Sequence, residues 1–144
     1  MKISLRVLAL LFLPLAGCVS TKVAGQLNMQ GNALGDSKFA AAKCYSGDRY
    51  YFYGVDLVNQ PQDTILRVVV DPVGGTVLKV TKEENGSERQ VLFDQGSCQV
   101  IDGHIDKTGW RVNRIEDFSG TLKLDCTTNE GEHIQGDLQF QHCH

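Results

Sequence analysis

A six-residue pattern of alternating side chains occurs three times in the chain and constrains its fold more than any other feature. Glycine, a polar residue, leucine, a polar residue, an apolar residue and a polar residue follow one another at 25–30, 120–125 and 136–141. Strict alternation is typical of a β-strand with one buried face, because successive side chains point to opposite sides. We therefore expect similar strands in one antiparallel sheet, with these residues inward: Leu27, Met29, Leu122, Leu124, Leu138 and Phe140.

The rest of the chain is predicted to form further short strands between turns. A run rich in β-branched residues at 65–70 predicts a strand buried on both faces or nearly so. Segment 31–43 has the composition of a loop, with a turn of helix at 37–43. No amphipathic helix of ten residues is evident, so we predict an all-β fold: a single antiparallel β-sandwich or small β-barrel of about eight to nine short strands. Further predicted strands are 49–58, 77–80, 89–93, 98–106 and 110–115, with a turn at 107–109.

The N-terminus has the pattern of an export signal. Two basic residues precede an apolar run at 7–15, which is too short for a membrane-spanning helix of about 20 residues. The run ends in Leu-Ala-Gly-Cys at 15–18, and this tetrapeptide resembles the lipobox of bacterial lipoproteins. The resemblance implies that the Cys18 thiol receives a diacylglyceryl group and that a signal peptidase removes residues 1–17. Cys18 then becomes the acylated N-terminus.

Acylation would fix the chain to a membrane, because each buried methylene contributes roughly 0.8 kcal/mol and two or three acyl chains hold where one does not. Residues 18–24 then form the acylated terminus and a tether, and 25–144 form the β domain. Val19 replaces the Asp that commonly marks inner-membrane retention in such lipoproteins, which implies the outer membrane. In a single-membrane organism, the outer leaflet of the cell membrane would hold the anchor. The alternatives are an ordinary cleaved secretory signal and an uncleaved membrane helix.

Size and charge restrict the partners of the mature chain. Removal of residues 1–17 from the 144-residue chain would leave 127 residues, a length typical of one domain. The mature chain keeps 12 basic and 17 acidic residues, a formal charge of −5. This balance disfavours binding of nucleic acid and direct adsorption to an anionic bilayer, and it suits a basic partner.

The cysteine count predicts two disulfides. Besides Cys18 the chain has an even number of cysteines, which in an exported protein indicates a bridged framework. Strand parity sets Cys143 one step off the inward face of its strand, so a β-bulge is expected there. The four cysteines are Cys44, Cys98, Cys126 and Cys143, and three connectivities are possible.

Strand register favours one of these connectivities. When Val100 faces Leu124 in an antiparallel pair, Cys98 faces Cys126 at a distance that a disulfide can bridge. The preferred pairs are therefore Cys98–Cys126 and Cys44–Cys143. The competing arrangement joins Cys126 to Cys143 and Cys44 to Cys98.

Possible metal ligands are concentrated at the C-terminus, which reads His142-Cys143-His144. A zinc site needs three or four ligands at defined spacing, and the chain has neither Cys-x-x-Cys nor His-x-x-x-His. A chain end also tends to fray. We therefore expect solvent-exposed histidines, no metal site, and Cys143 in a bridge instead of acting as a nucleophile. Other candidate ligands, expected to be solvated strand residues, are Asp102, His104 and Asp106.

The four aromatic residues at 50–53 are the main candidates for ligand contact. In a strand, alternation would place the first and third on one face and the second and fourth on the other, with one pair in the core. Stacking on a sugar or a peptide is the alternative role. Trp110 is expected to cap the core.

Taken together, these features predict a membrane-anchored cell-envelope lipoprotein that acts as a non-enzymatic accessory or binding module, with another envelope protein as its partner. The closing hairpin at 120–143 is similar to those of small secreted lipoproteins. No Gly-x-Ser-x-Gly elbow and no nucleotide-binding fingerprint is present, and neither a catalytic residue nor a cofactor is expected. A lysozyme-type inhibitor or ligand-binding lipoprotein is the first alternative, and a metal-dependent enzyme is the second.

Overall fold

The computed structural model describes residues 20–61, 63–71, 73 and 75–144. The predicted lipobox, including Cys18, lies outside these residues. The described part contains ten β-strands and one short 3-10 helix (Gly47–Tyr50) between the third and fourth strands. The strands are β1 (Lys22–Gln30), β2 (Ser37–Phe39), β3 (Ala41–Ser46), β4 (Gly54–Asn59), β5 (Thr64–Asp71), β6 (Gly75–Glu84), β7 (Ser87–Phe93), β8 (Cys98–Val112), β9 (Ile115–Thr127) and β10 (His133–Cys143).

The strands form two five-stranded antiparallel sheets that share one apolar core, so the molecule is sandwich-like. Sheet A has the order β2-β1-β10-β9-β8, and sheet B has the order β3-β4-β5-β6-β7. Neither sheet closes into a barrel within the described residues. The chain changes sheets at Ala40, between β2 and β3. β2 and the first three residues of β3 lie in the segment predicted as a loop with a helical turn, so that prediction is wrong there. The described residues form ten strands and not eight to nine.

The three repeats are neighbouring strands of sheet A, as the alternation predicted. β10 lies between β1 and β9, and all six inward residues of the repeats are buried. Gly136 of β10 has a φ of 140° and lies opposite Leu27, and a side chain there would overlap the backbone of Gln26. This glycine therefore permits close contact between β1 and β10.

Two predicted elements around β4 and β5 differ from the structure. Residues 47–50 form the 3-10 helix because the Ser46 hydroxyl accepts the Asp48 N–H at 3.2 Å, and β4 begins only at Gly54. Strand β5 is where 65–70 predicted it but is buried mainly on one face, since Ile65 is 38% exposed. Antiparallel sheets commonly leave one face to solvent, which explains the exposure.

The turn predicted at 107–109 is also wrong, because β8 continues to Val112. A register shift between Lys107 and Arg111 accommodates Gly109, whose φ is 83°. The chain reverses instead at Asn113 and Arg114, which both have positive φ, at 52° and 71°. Two such residues form the tight turn whose twist matches a β-hairpin.

The two disulfides are the pairs that the register argument favoured. Cys98–Cys126 joins neighbouring strands of sheet A, with Cα atoms 3.9 Å apart. A bulge directly after Cys98 places Val100 opposite Asp125, so the predicted pairing of Val100 with Leu124 is wrong. Cys44–Cys143 joins β3 of sheet B to β10 of sheet A, with Cα atoms 4.8 Å apart. The bulge expected before Cys143 lies between Phe140 and Cys143.

Candidate functional site

Four strand ends meet at one end of sheet A. β1 begins with Lys22 opposite Gln141, and β10 ends with Cys143 opposite Phe118 near the start of β9. Lys107, in the last part of β8, also pairs with Phe118. We call this region the entry end, because the chain enters the β domain there.

A buried carboxylate lies at the centre of the entry end. Asp117 is 2% exposed, and its Oδ2 accepts a hydrogen bond from the Thr108 hydroxyl at 2.7 Å. The His142 Nδ1 lies 3.1 Å from the same oxygen. The His144 Nδ1 is 3.8 Å from Oδ1, beyond hydrogen-bond distance, and Oδ1 has no hydrogen-bond partner among the described residues. We call these four residues the Asp117 cluster.

The terminal histidines are therefore not freely exposed, which corrects the sequence-based expectation. The side chains of His142 and His144 are 35% and 24% exposed. The Cys44–Cys143 bridge holds the residue between them against sheet B, so the chain end does not lie free. By contrast, His104 Nε2 lies 2.8 Å from Asp106 Oδ2, and the two side chains are 76% and 65% exposed, as expected for solvated strand residues.

Sequence reasoning missed Asp117. Phe118, Leu122 and Leu124 define the inward parity of β9, so Asp117 has the parity of an outward residue. It is buried because Thr108 and the end of β10 lie against it. No local sequence pattern indicates this long-range packing. The only available signal was that Asp117 is an acidic residue close to the β8–β9 turn.

The Asp117 cluster fixes the position of residues 142–144. A buried carboxylate beside an imidazole orients the ring, and the hydrogen bond from Thr108 orients the carboxylate. The Thr21 hydroxyl donates to the His142 carbonyl at 2.9 Å, which ties the start of the described chain to the same cluster. Cys143 lies between the histidines but is oxidised in the bridge, so it has no free thiol. In the part of the chain described above, no three His, Cys, Asp or Glu residues are arranged to hold a metal ion.

An acidic pair connects the 3-10 helix of the other sheet to the entry end. The Glu116 N–H donates to Asp48 Oδ2 at 3.0 Å, and the Glu116 side chain is bound by Arg111. Arg111 is the next-to-last residue of β8, close to the β8–β9 turn. The hydrogen bond between Glu116 and Asp48 therefore brings residues 47–50 beside the β8–β9 hairpin.

Exposed aromatic residues lie at this junction. Tyr50 is 57% exposed, Tyr51 is 99% exposed and Trp110 is 71% exposed. We call these three residues the aromatic patch. Trp110 therefore does not cap the core, and its backbone N–H donates to the Thr108 hydroxyl oxygen at 3.3 Å. Tyr51 has a φ of 64°, an unfavourable left-handed conformation for a bulky residue.

The other two aromatic residues of the 50–53 run pack inward, so they do not alternate as a strand would. The Tyr53 ring meets the buried Phe118 ring edge-on at 5.2 Å, and its hydroxyl donates to the Ile105 carbonyl at 3.1 Å. The Phe52 ring lies under the Arg67 guanidinium, 4.6 Å from its centroid. Tyr53 is still 37% exposed, but Tyr50 and Tyr51 present the larger surface of this run for outside contacts.

A two-point salt bridge supports the aromatic run from sheet B. Arg67 Nε and Nη2 donate to the two oxygens of Asp56 at 2.8 and 2.7 Å. Asp56 is 5% exposed, so removal of Arg67 would leave a buried carboxyl group without its partner. Hydrogen bonding to Asp56 raises the pKa of Arg67 above its ordinary value.

At the end of β4, a small network surrounds the turn that leads to β5. The Asn59 amide donates to Asp63 Oδ1 at 2.8 Å, and the Thr64 hydroxyl donates to the same oxygen at 2.9 Å. The hydrogen bond from Asn59 is the main cause that lowers the pKa of Asp63 below 3.8.

Charge is distributed unequally between the two ends of sheet A. The opposite end, which we call the far end, comprises the β9–β10 turn with the neighbouring β1–β2 loop, β6–β7 hairpin and β7–β8 turn. Exposed acidic residues predominate there: Glu83, Glu84, Glu88, Asp94 and Glu130. Five of the 12 basic residues of the chain after residue 17 lie at the entry end and are exposed: Lys22, Arg49, Lys107, Arg111 and Arg114.

Comparison with known proteins found no matching family model, curated protein or solved structure. Among the described residues, no helix has the length and apolar character to cross a membrane.

Proposed function

We propose that this protein is a lipid-anchored lipoprotein of the bacterial cell envelope, located at the outer membrane, and that it acts as a non-enzymatic binding or accessory module for another envelope protein. The main observation in support of this proposal is the Leu-Ala-Gly-Cys tetrapeptide at 15–18, whose Cys18 lies three residues before Thr21. A lipid on Cys18 would therefore be attached directly beside the entry end of the β domain.

The architecture of the domain suits this role. Two disulfides restrict the unfolded chain and resist loss of structure in an oxidising compartment. The far end is acidic and, in a molecule anchored through the entry end, would point away from the bilayer. This arrangement supports presentation of the far end to a soluble or membrane-bound partner with a basic surface.

Substitution of Cys18 tests the anchor. The wild-type protein should incorporate labelled fatty acid and sediment with membranes, whereas Cys18→Ser should lose both properties and retain its folded β domain by circular dichroism. Val19→Asp is the matched control, because the lipobox resemblance implies that it remains acylated and moves to the inner membrane. Labelling and sedimentation of Cys18→Ser at the wild-type level would contradict the proposal.

An acidic far end also favours a second candidate, an inhibitor of a basic enzyme such as lysozyme. Attraction between opposite charges accelerates association and weakens with salt. The purified Cys18→Ser domain should then inhibit lysozyme at low salt and less at high salt, and Glu130→Lys with Glu88→Lys should reduce the effect. A domain that leaves lysozyme activity unchanged at both salt concentrations would remove this candidate.

A further inference from the structure

We infer that the entry end docks on the phospholipid bilayer, with the aromatic patch seated in the headgroup region and the far end facing away. This inference rests on the proposed function, because it requires a lipid on Cys18. It adds the orientation of the domain and the residues that contact lipid.

The first support is the reach of the tether. Only three residue steps separate Cys18 from Thr21, and an extended chain covers at most about 3.3–3.6 Å per residue, or about 11 Å in total. The acylated Cys18 must lie at the bilayer surface, so Thr21 is held within about one headgroup layer of it. A domain held this closely meets the membrane with the surface around Thr21.

The second support is a continuous series of contacts from Thr21 to the aromatic patch. Thr21 binds the His142 carbonyl, and the His142 ring lies against Asp117. Asp117 accepts from the Thr108 hydroxyl, whose oxygen accepts the backbone N–H of Trp110. Trp110 therefore lies on the surface that the tether brings to the membrane.

Tyr50 and Tyr51 reach the same surface through a second series. The Tyr51 N–H donates to the Asp48 carbonyl at 3.4 Å, and the Asp48 side chain accepts the N–H of Glu116, the residue before Asp117. The aromatic patch thus combines Trp110 of β8 with two residues at the end of the 3-10 helix.

The chemistry of the patch fits a bilayer surface. Trp and Tyr are enriched at membrane–water interfaces, because their rings are apolar and their N–H or O–H groups stay hydrated. Exposed Lys and Arg side chains are attracted to an anionic membrane surface, and five exposed basic residues lie at the entry end. Tyr51 is held in an unfavourable backbone conformation while its ring packs on nothing, and such strain is concentrated at functional positions.

Trp110 allows a direct test, because it is the only tryptophan of the chain. The full acylated protein is reconstituted in vesicles of phosphatidylethanolamine and phosphatidylglycerol, and separately in phosphatidylcholine alone. Compared with the unacylated Cys18→Ser protein in buffer, Trp110 emission should shift to shorter wavelength, lose most of its quenching by aqueous iodide, and be quenched by lipids with brominated acyl chains. The shift should be larger in the anionic vesicles.

A reporter at the far end provides the matched control. Leu92 is 63% exposed beside the β9–β10 turn, so acylated Trp110→Phe/Leu92→Trp carries one tryptophan at that end. Its emission should stay as in buffer and remain accessible to iodide. Tyr51→Ser, which removes a ring without core contacts, should reduce the protection of Trp110 and leave the circular dichroism spectrum unchanged.

The outcomes separate the docking inference from the proposed function. Absence of the acyl mass on Cys18 in cell-derived protein would overturn the proposed function and the inference with it. An acylated, vesicle-bound protein whose Trp110 stays as accessible as in buffer would overturn the inference alone. Protection of Trp110 in native envelope membranes but not in pure lipid vesicles would also overturn it, and would assign the patch to a protein partner.

Discussion

Removal of the disulfide between the sheets should destabilise the domain more than removal of the disulfide within sheet A. Cys44 and Cys143 are 99 residues apart, whereas Cys98 and Cys126 are 28 apart. With loop-closure entropy alone, the first bridge contributes about 4.7 kcal/mol and the second about 3.6 kcal/mol at 25 °C. The predicted difference is therefore about 1 kcal/mol in the free energy of unfolding.

The measurement uses two double variants, because a single substitution would leave an unpaired thiol in the core. Cys44→Ala/Cys143→Ala and Cys98→Ala/Cys126→Ala are compared in the Cys18→Ser background by urea unfolding, followed by far-UV circular dichroism. A domain with total stability of about 5–15 kcal/mol approaches its limit after losing the longer bridge, so its urea midpoint should be the lower.

A third variant without all four of these cysteines shows whether the two bridges act independently. The reasoning is refuted if the variant that lacks Cys98–Cys126 is equally or less stable than the variant that lacks Cys44–Cys143. Native-state strain or residual structure in the unfolded chain would then outweigh loop length.

Three further substitutions test individual contacts. Asp117→Asn should lower the free energy of unfolding by about 1–3 kcal/mol in urea, since it removes a buried charged acceptor, and an unchanged value would show that the cluster is not structural. Asn59→Ala should raise the pKa of Asp63 toward 3.8 in an NMR titration, because it removes the main hydrogen bond that lowers this pKa. The stability that Asp63 contributes is present above pH 3.8 and is lost as the pH falls through the lowered pKa of the folded state. This loss of stability should be smaller in the variant. Tyr51→Asn should raise the free energy of unfolding, measured by thermal denaturation, by about 0.5–1 kcal/mol. Asn tolerates positive φ better than Tyr, and the lost ring contacts no core residue.

Strands with one buried face could be predicted from the sequence because side-chain alternation is a local property. The repeats at 25–30, 120–125 and 136–141 contain it in full, and each became a strand with the expected inward residues. The Cys98–Cys126 bridge followed from the same property, since matching two alternating strands brings these cysteines opposite each other, and Cys44–Cys143 was the remaining pair. The bulge after Cys98 changed the partner of Val100 without changing that of Cys98.

The errors lie where backbone conformation overrides composition. Aromatic residues at 50–53 favour a strand by propensity, but the Ser46 cap and the left-handed Tyr51 produce a 3-10 helix and a turn. Gly109 suggested a turn and instead occupies a bulge, while the less conspicuous Asn113 and Arg114 form the hairpin. The Asp117 cluster depends on contacts between β8, β9 and β10, and no single segment encodes it.

The position of the tether explains how an acidic domain can contact a membrane. A formal charge of −5 disfavours adsorption of the free domain to an anionic bilayer, and three exposed aromatic rings give only a small apolar surface. A short tether changes the balance, because it makes the contact intramolecular and replaces free concentration with an effective concentration in the millimolar range. Weak interactions of the aromatic patch and its basic neighbours then suffice to select one orientation. The same patch without the lipid should leave the domain in solution, so anchoring and orientation are separable properties of this chain.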